Sequence, residues 1–269
     1  RLKKALYGQK QAPRAWYDRL TSYLLDHGFK RGQVDQTLFV KRDEKSLLVA
    51  QVCVDDIVFG STIDNLAQEF LEEMEKEFEM SMVGELNYFL GIQVKQWKDG
   101  IFISQEKYAK NLVKRFGLDS KKHASTPMSS SIKLSSDLAS VEVDPTLYRS
   151  IIGSLLYLIA SRKNIAFNVR FCAHFQAAPK ESHMTVVKRI IRYFNGTSNY
   201  GIWYSRDSND CLAEYSDADW AVCIDDRKST LGGCFYLGNN LVSWMSKKQN
   251  SLSLSTIKVK CIAAGSCCA

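Results

Sequence analysis

No stretch of this 269-residue chain is long and apolar enough to span a bilayer: the longest, Ile151 to Ala160, is short and broken by Gly153 and Ser154. Arg1-Leu2-Lys3-Lys4 is followed by no signal-peptide core. Position 1 is not Met, so the chain reads as a segment of a longer polypeptide. Its eight Cys form no CxxC, and its four His stand at no zinc-ligand spacing. A disulfide framework is not expected in so long a chain without a secretory signal. The thiols read as buried or incidental, in a reducing compartment. There is no internal repeat. With 45% hydrophobic and 24% charged residues, the composition excludes disorder, collagen and coiled coil.

Charge is more informative in its placement than in its +7 total. Residues 1–31 carry a net +6, residues 62–80 a net −6, and residues 105–122 and 180–206 a net +4 each. Alternating segments of this kind suit a protein that holds a polyanion on one face. On charge alone, solvated helix faces are the better explanation.

Pro13 opens a helix that Gly28 closes, with Trp16, Leu20, Tyr23, Leu24 and His27 near one face. Residues 47–59 read as two apolar strands with Asp55 and Asp56 at the turn between them. Leu66, Phe70, Met74 and Phe78, spaced by four, predict an amphipathic acidic helix. Strand and turn material follows over 84–94 and 100–103, with Lys98-Asp99-Gly100 as a hairpin loop, then a helix over 105–116. Residues 123–146 form a Ser/Thr/Asp-rich linker or long loop, followed by amphipathic helices over 147–160 and 184–195. From Gly201 the pattern turns to short strands over 201–204, 213–216, 232–237 and 241–244, the last two joined at Gly238-Asn239-Asn240.

Two adjacent carboxylates between apolar strands have no packing reason to be together. A divalent cation supplies one, because Mg²⁺ takes oxygen ligands and fills its octahedron with water and phosphate. Alone, Asp55-Asp56 is also a plain Asp-Asp turn. The neighbouring motifs decide between these readings. Leu6-Tyr7-Gly8-Gln9-Lys10-Gln11-Ala12-Pro13-Arg14-Ala15-Trp16-Tyr17 resembles the nucleotide-pocket motif of copia-type retrotransposon reverse transcriptases. Cys53-Val54-Asp55-Asp56 resembles their Tyr-x-Asp-Asp motif, and Phe89-Leu90-Gly91-Ile92-Gln93-Val94 their primer grip. Ser125-Thr126-Pro127-Met128 and the segment from Tyr148 to Tyr157 are similar to the connecting region. The segments from Tyr215 to Ala221 and from Asp225 to Thr230 resemble the start of the ribonuclease H domain. The matches keep the family's order and cover essentially the whole chain.

The resemblance implies an α+β fold. Residues 1–122 would form a partial reverse-transcriptase palm with the primer-grip region, and residues 123–200 a linker and helical thumb/connection. Residues 201–269 would form a truncated ribonuclease H-like sheet. It implies RNA-directed DNA polymerase ancestry, with Asp55 and Asp56 catalytic and binding Mg²⁺ or Mn²⁺. Gly8, Lys10 and Arg14 would face the incoming dNTP, and Tyr88, Leu90 and Gly91 the primer end. Trp16 and Tyr17 are expected to pack the helix rather than to stack on bases. Implied partners are an RNA template, a primer duplex, dNTP and the rest of a Pol polyprotein, with no membrane. The implied place is the cytoplasm, in a virus-like particle, or the nucleus, without secretion.

Several residues depart from the family's pattern. Its third metal-binding Asp, in an upstream motif, and the template-gripping fingers are not in this sequence. Cys53 stands where Tyr is usual, Gln9 replaces a usual Leu, and Arg162-Lys163-Asn164 replaces Arg-Pro-Asp. Asp217 matches the first ribonuclease H carboxylate, but both Glu positions of the later motif are Lys, at Lys258 and Lys260. Lys260 stands where a metal-binding carboxylate is expected, and a cation there repels Mg²⁺. The isolated chain is therefore expected to be inactive. The alternatives are a non-enzymatic nucleic-acid-binding chain and a degraded transposon remnant. A hydrolase built on Asp217 and Asp219 is opposed by Lys260.

Overall fold

The computed structural model describes residues 8–119, 122–129, 132, 134–137 and 139–268, in two units, 1–86 and 87–269. In the first, α1 (Ala12–Asp26) precedes β1 (Lys30–Arg31), β2 (Leu38–Arg42), β3 (Leu47–Cys53) and β4 (Asp56–Ser61), and α2 (Asp64–Glu77) follows. The strands form an antiparallel sheet in chain order. Strict alternation along β3 buries Leu48, Ala50 and Val52 on one face. Phe70 and Met74 of α2 and Leu20 and Leu24 of α1 close over that core. The four-residue spacing from Leu66 to Phe78 thus marks the buried side of α2, although Phe78 itself is already extended.

The second unit begins with β5 (Tyr88–Phe89), β6 (Ile92–Trp97), β7 (Gly100–Ser104) and α3 (Glu106–Arg115). Helices α4 (Pro145–Leu158), α5 (Ala166–Ala173) and α6 (Glu181–Asn195) follow, with a 3-10 turn over Lys163–Ile165. Then come β8 (Gly201–Ser205), β9 (Leu212–Ala218), β10 (Thr230–Leu237), β11 (Asn240–Lys248) and α7 (Thr256–Cys267). Asp144 caps α4 by accepting the Thr146 N–H at 2.8 Å, with Pro145 in the first turn, where no N–H is needed. Tyr148, Ile152 and Leu155 of α4 pack with Val187, Ile190 and Phe194 of α6, Val169 of α5 and Leu112 of α3.

The chain is a mixed α and β protein with antiparallel sheets, as an α+β reading expects. Strand β8 hydrogen-bonds to β7, giving a sheet of order β5-β6-β7-β8, whereas β9, β10 and β11 form their own sheet of order β11-β10-β9. The division between the two units falls at 86/87, and Gly201 opens a strand that pairs with β7. Among the described residues no helix is long and apolar enough to cross a membrane.

Candidate functional site

Asp55 and Asp56 sit where the sequence puts them, at the β3–β4 hairpin. Cys53 pairs with Asp56, leaving Val54 and Asp55 as a two-residue turn. Val54 has φ +57°, a left-handed conformation that sets its Cβ against its own carbonyl and costs a branched residue about 1–2 kcal/mol. Trp16 of α1 donates its indole N–H to the Val54 carbonyl at 3.1 Å, and its ring meets Phe78 edge-on at 5.1 Å. The first helix and the residue after the second thus brace a strained turn that presents both carboxylates to solvent. Val54→Gly is expected to stabilise the unit by about 1 kcal/mol, read from urea unfolding, by removing that strain.

No described cation pairs with either carboxylate. Among the described residues no three His, Cys, Asp or Glu side chains gather as a metal cage. Two exposed, cation-free carboxylates nevertheless suit Mg²⁺, which is commonly held by one or two carboxylates with water and substrate phosphate supplying the rest. Leu6 and Tyr7 of the motif ahead of α1 lie outside the described residues. Gly8 takes φ +83° just before the helix, Lys10 is exposed, and Arg14 stands 3.9 Å from Asp18. Tyr17 donates its hydroxyl to the Gln36 carbonyl at 2.6 Å, and it and Trp16 pack, partly buried, against the core of the first unit.

Tyr88, Leu90 and Gly91 lie in the second unit, Tyr88 on β5 and Leu90 and Gly91 on the tight turn between β5 and β6. Phe89 pairs with Ile92, and both turn residues have positive φ, +47° at Leu90 and +76° at Gly91. That is the backbone of a type I′ hairpin turn. The Tyr157 hydroxyl of α4 donates to the Leu90 carbonyl and occupies the space a Gly91 Cβ would need. The Tyr157 ring meets Tyr108 of α3 edge-on at 4.8 Å, and Tyr108 donates to the Ser154 carbonyl at 3.2 Å. Tyr157 is therefore the buttress of this turn, a role its sequence position gave no sign of. Tyr88 and Leu90 are exposed.

Asp217 of β9 is exposed, and Asp219, just past the end of the strand, is half-buried. Asp219 accepts the Thr230 N–H at 3.0 Å and the Val222 N–H at 3.4 Å. Burial raises its carboxyl above the ordinary range against those bonds, and the charge of Asp217 adds to the rise. Lys260 of α7 comes within 3.7 Å of Asp217. The structure thus brings together the two residues that the resemblance aligned with metal ligands, as an ion pair. A carboxylate already paired with a lysine does not fit a divalent cation.

The family described as reverse transcriptase (RNA-dependent DNA polymerase) matches residues 1–130. The chain is 41% identical over 260 residues to the retrovirus-related Pol polyprotein from transposon RE1 of Arabidopsis thaliana, covering 97% of this chain and 18% of that one. It is 32% identical over 274 residues to the corresponding polyprotein from transposon TNT 1-94 of Nicotiana tabacum, covering 98% of this chain and 21% of the other. It is also 34% identical over 208 residues to an uncharacterized mitochondrial protein of Arabidopsis thaliana, covering 77% of this chain and 86% of that protein. The chain spans about a fifth of the length of the Pol polyproteins it matches. No solved structure matches it.

Proposed function

We propose a function from one premise: the chain belongs to the reverse transcriptase family of copia-type retrotransposon Pol polyproteins. On that premise residues 1–122 are palm and primer grip, 123–200 linker and thumb/connection, and 201–269 a ribonuclease H-like segment. The chemistry is extension of a primer 3′ hydroxyl by dNTP on an RNA template. The observation that carries the reading is the braced Val54-Asp55 turn, which holds two adjacent carboxylates free of cations.

Asp55 and Asp56 are the residues that would hold Mg²⁺ or Mn²⁺, the strain at Val54 keeping both exposed. The bound ion would stabilise charge on the entering and leaving oxygens of the transfer. Gly8 leaves room for a close approach to the triphosphate, to which Lys10 and Arg14 offer positive charge. Leu90 and Gly91, locked by Tyr157, position the primer end, with Tyr88 beside them. The basic segments 105–122 and 180–206 hold duplex phosphates. The place of action is the cytoplasm, in a virus-like particle, or the nucleus. The second reading, a non-enzymatic nucleic-acid-binding chain or transposon remnant, is favoured at the third segment by the Lys260–Asp217 pair.

Two carboxylates without a third leave the isolated chain inactive. Purified protein with primer, RNA template, dNTP and Mg²⁺ is expected to show no extension; extension that Asp55→Asn abolishes would overturn the inactivity. Mn²⁺ titration followed by water-proton relaxation tests the site itself. Weak binding that Asp55→Asn with Asp56→Asn removes is expected, and binding unaltered in that double variant would move the metal site elsewhere.

A further inference from the structure

The sheet of β5 to β8 has two unlike faces, and the register assigns every residue to one of them. Val94, Ile103 and Ile202 stand opposite one another on the first, with Ile101 and Tyr204. On the other face, Lys95, Phe102 and Trp203 form one cross-strand row and Trp97, Gly100 and Ser205 the next. This second face carries no aliphatic side chain; its apolar surface is aromatic throughout.

Phe102 and Trp203 are register partners, and Trp97 meets Trp203. Trp203 leans over Gly100, where a Cβ would stand 2.5 Å from its Cζ2, and Phe102 leans over Gly201, where a Cβ would stand 2.6 Å from its Cζ. Trp97 and Trp203 lie 5.7 Å apart at 45°. Cover for glycine backbone accounts for where Trp203 and Phe102 lie. It does not account for Trp97, whose own side chain remains 53% exposed beside a Trp203 that is 41% exposed.

Around these rings Lys95, Lys98 and Arg206 are exposed and join no ion pair with a described acid. Glu106, whose carboxyl feels the charge of Lys95, is already bonded to Lys110 at 2.6 Å. Asp99 and Asp207 share the same end of the sheet, so the rim carries three cations against two anions. Tilted, solvent-facing indoles with unpaired cations beside them offer π-faces to flat rings and charge to a phosphate chain. An aliphatic protein core would find little to interlock with on a surface that has no aliphatic side chain.

The geometry points to a stacking platform: Trp97, with Trp203 and Phe102, takes unpaired bases of a single-stranded nucleic acid, and Lys95 takes its backbone. This rests on the nucleic-acid reading above but needs neither Asp55 nor polymerase activity. It places a contact for unpaired strand on the second unit, separate from the primer-grip turn.

The test is binding of a fluorescent oligothymidylate and of an RNA–DNA duplex by the full chain and three variants. Trp97→Phe keeps a stacking ring, Trp97→Leu keeps apolar cover without one, and Lys95→Gln removes a charge. Thermal unfolding checks that each variant folds. The oligothymidylate is expected to bind in a salt-sensitive way, to bind Trp97→Phe nearly as well, and to bind Trp97→Leu about tenfold more weakly. Lys95→Gln should flatten the salt dependence. Trp97→Leu binding as tightly as the unaltered chain would overturn the platform, as would duplex binding without any oligothymidylate binding; the nucleic-acid reading survives both. Failure to bind either nucleic acid would overturn that reading together with the platform.

Discussion

Replacing Arg162 by alanine is expected to destabilise the second unit by about 2–5 kcal/mol in chemical unfolding, the scale of emptying a large core position. Arg162 is 2% exposed and is among the largest fully buried side chains described. Its guanidinium donates to the Thr197 carbonyl and hydroxyl, both at 2.7 Å, and to the Asn164 side-chain oxygen at 3.3 Å. Tyr200 lies against it, with its ring centre 5.5 Å away. Alanine would leave a cavity and strand the Thr197 acceptors.

No described carboxylate pairs with this charge, and burial lowers the affinity of Arg162 for its proton. Asn164 is the residue best placed to supply a counter-charge. It donates to the Tyr193 hydroxyl at 2.7 Å, and an aspartate there could accept from the same hydroxyl. Asn164→Asp is therefore expected to stabilise the chain, by about 1–2 kcal/mol at neutral pH. The guanidinium would hold the new carboxyl below its unfolded value. The gain would then be present above the unfolded carboxylate pKa and lost as pH falls through the lowered one. Equal stability of the variant and the unaltered chain across that range would contradict the assignment. It is notable that position 164 is one where the sequence departs from the family's usual Asp.

Lys260→Glu is expected to turn an ion pair into a weak divalent-cation site. In the unaltered chain the ammonium stands 3.7 Å from Asp217, and both side chains are well exposed. Losing such a pair costs little, since exposed pairs contribute about 0–1 kcal/mol. The charge at the site changes by two units, and two carboxylates then converge where one was neutralised. Mn²⁺ relaxation should report binding in Lys260→Glu that Asp217→Asn cancels and that the unaltered chain lacks at this position. Asp219 is half-withdrawn into backbone hydrogen bonds and should contribute less. A Lys260→Glu protein that binds no more Mn²⁺ than its parent would show that helix α7 does not aim position 260 at β9.

What could be read beforehand follows the periodicity. The spacing of Leu66, Phe70 and Met74 carried one period and marks a buried face, whereas 47–53 read as an apolar run and only the fold shows that Leu48, Ala50 and Val52 are the buried side. Helix α7 was hidden because Ile257-Lys258-Val259-Lys260 alternates with period two. In the helix Val259 and Ala263, four apart, are buried and Ile257 is left 74% exposed. Helix α5 is short and buries Val169, Phe171 and Cys172 around much of its circumference, so no stripe announces it. Asp55 and Asp56 could be placed at a turn from the apolar strands on either side. The left-handed Val54, its bond from Trp16 and the Tyr157 lock on Leu90 could not, because each depends on residues brought together only by the fold.

Strand β9 has β10 on one side and no described strand on the other. Its outer row of backbone donors and acceptors can template a second chain, the route by which sheets grow into fibres. Glu214, Asp217 and the lysine beside it put charge along that row. A variant that neutralises Asp217 is therefore expected to give up part of the chain's protection against stacking on copies of itself.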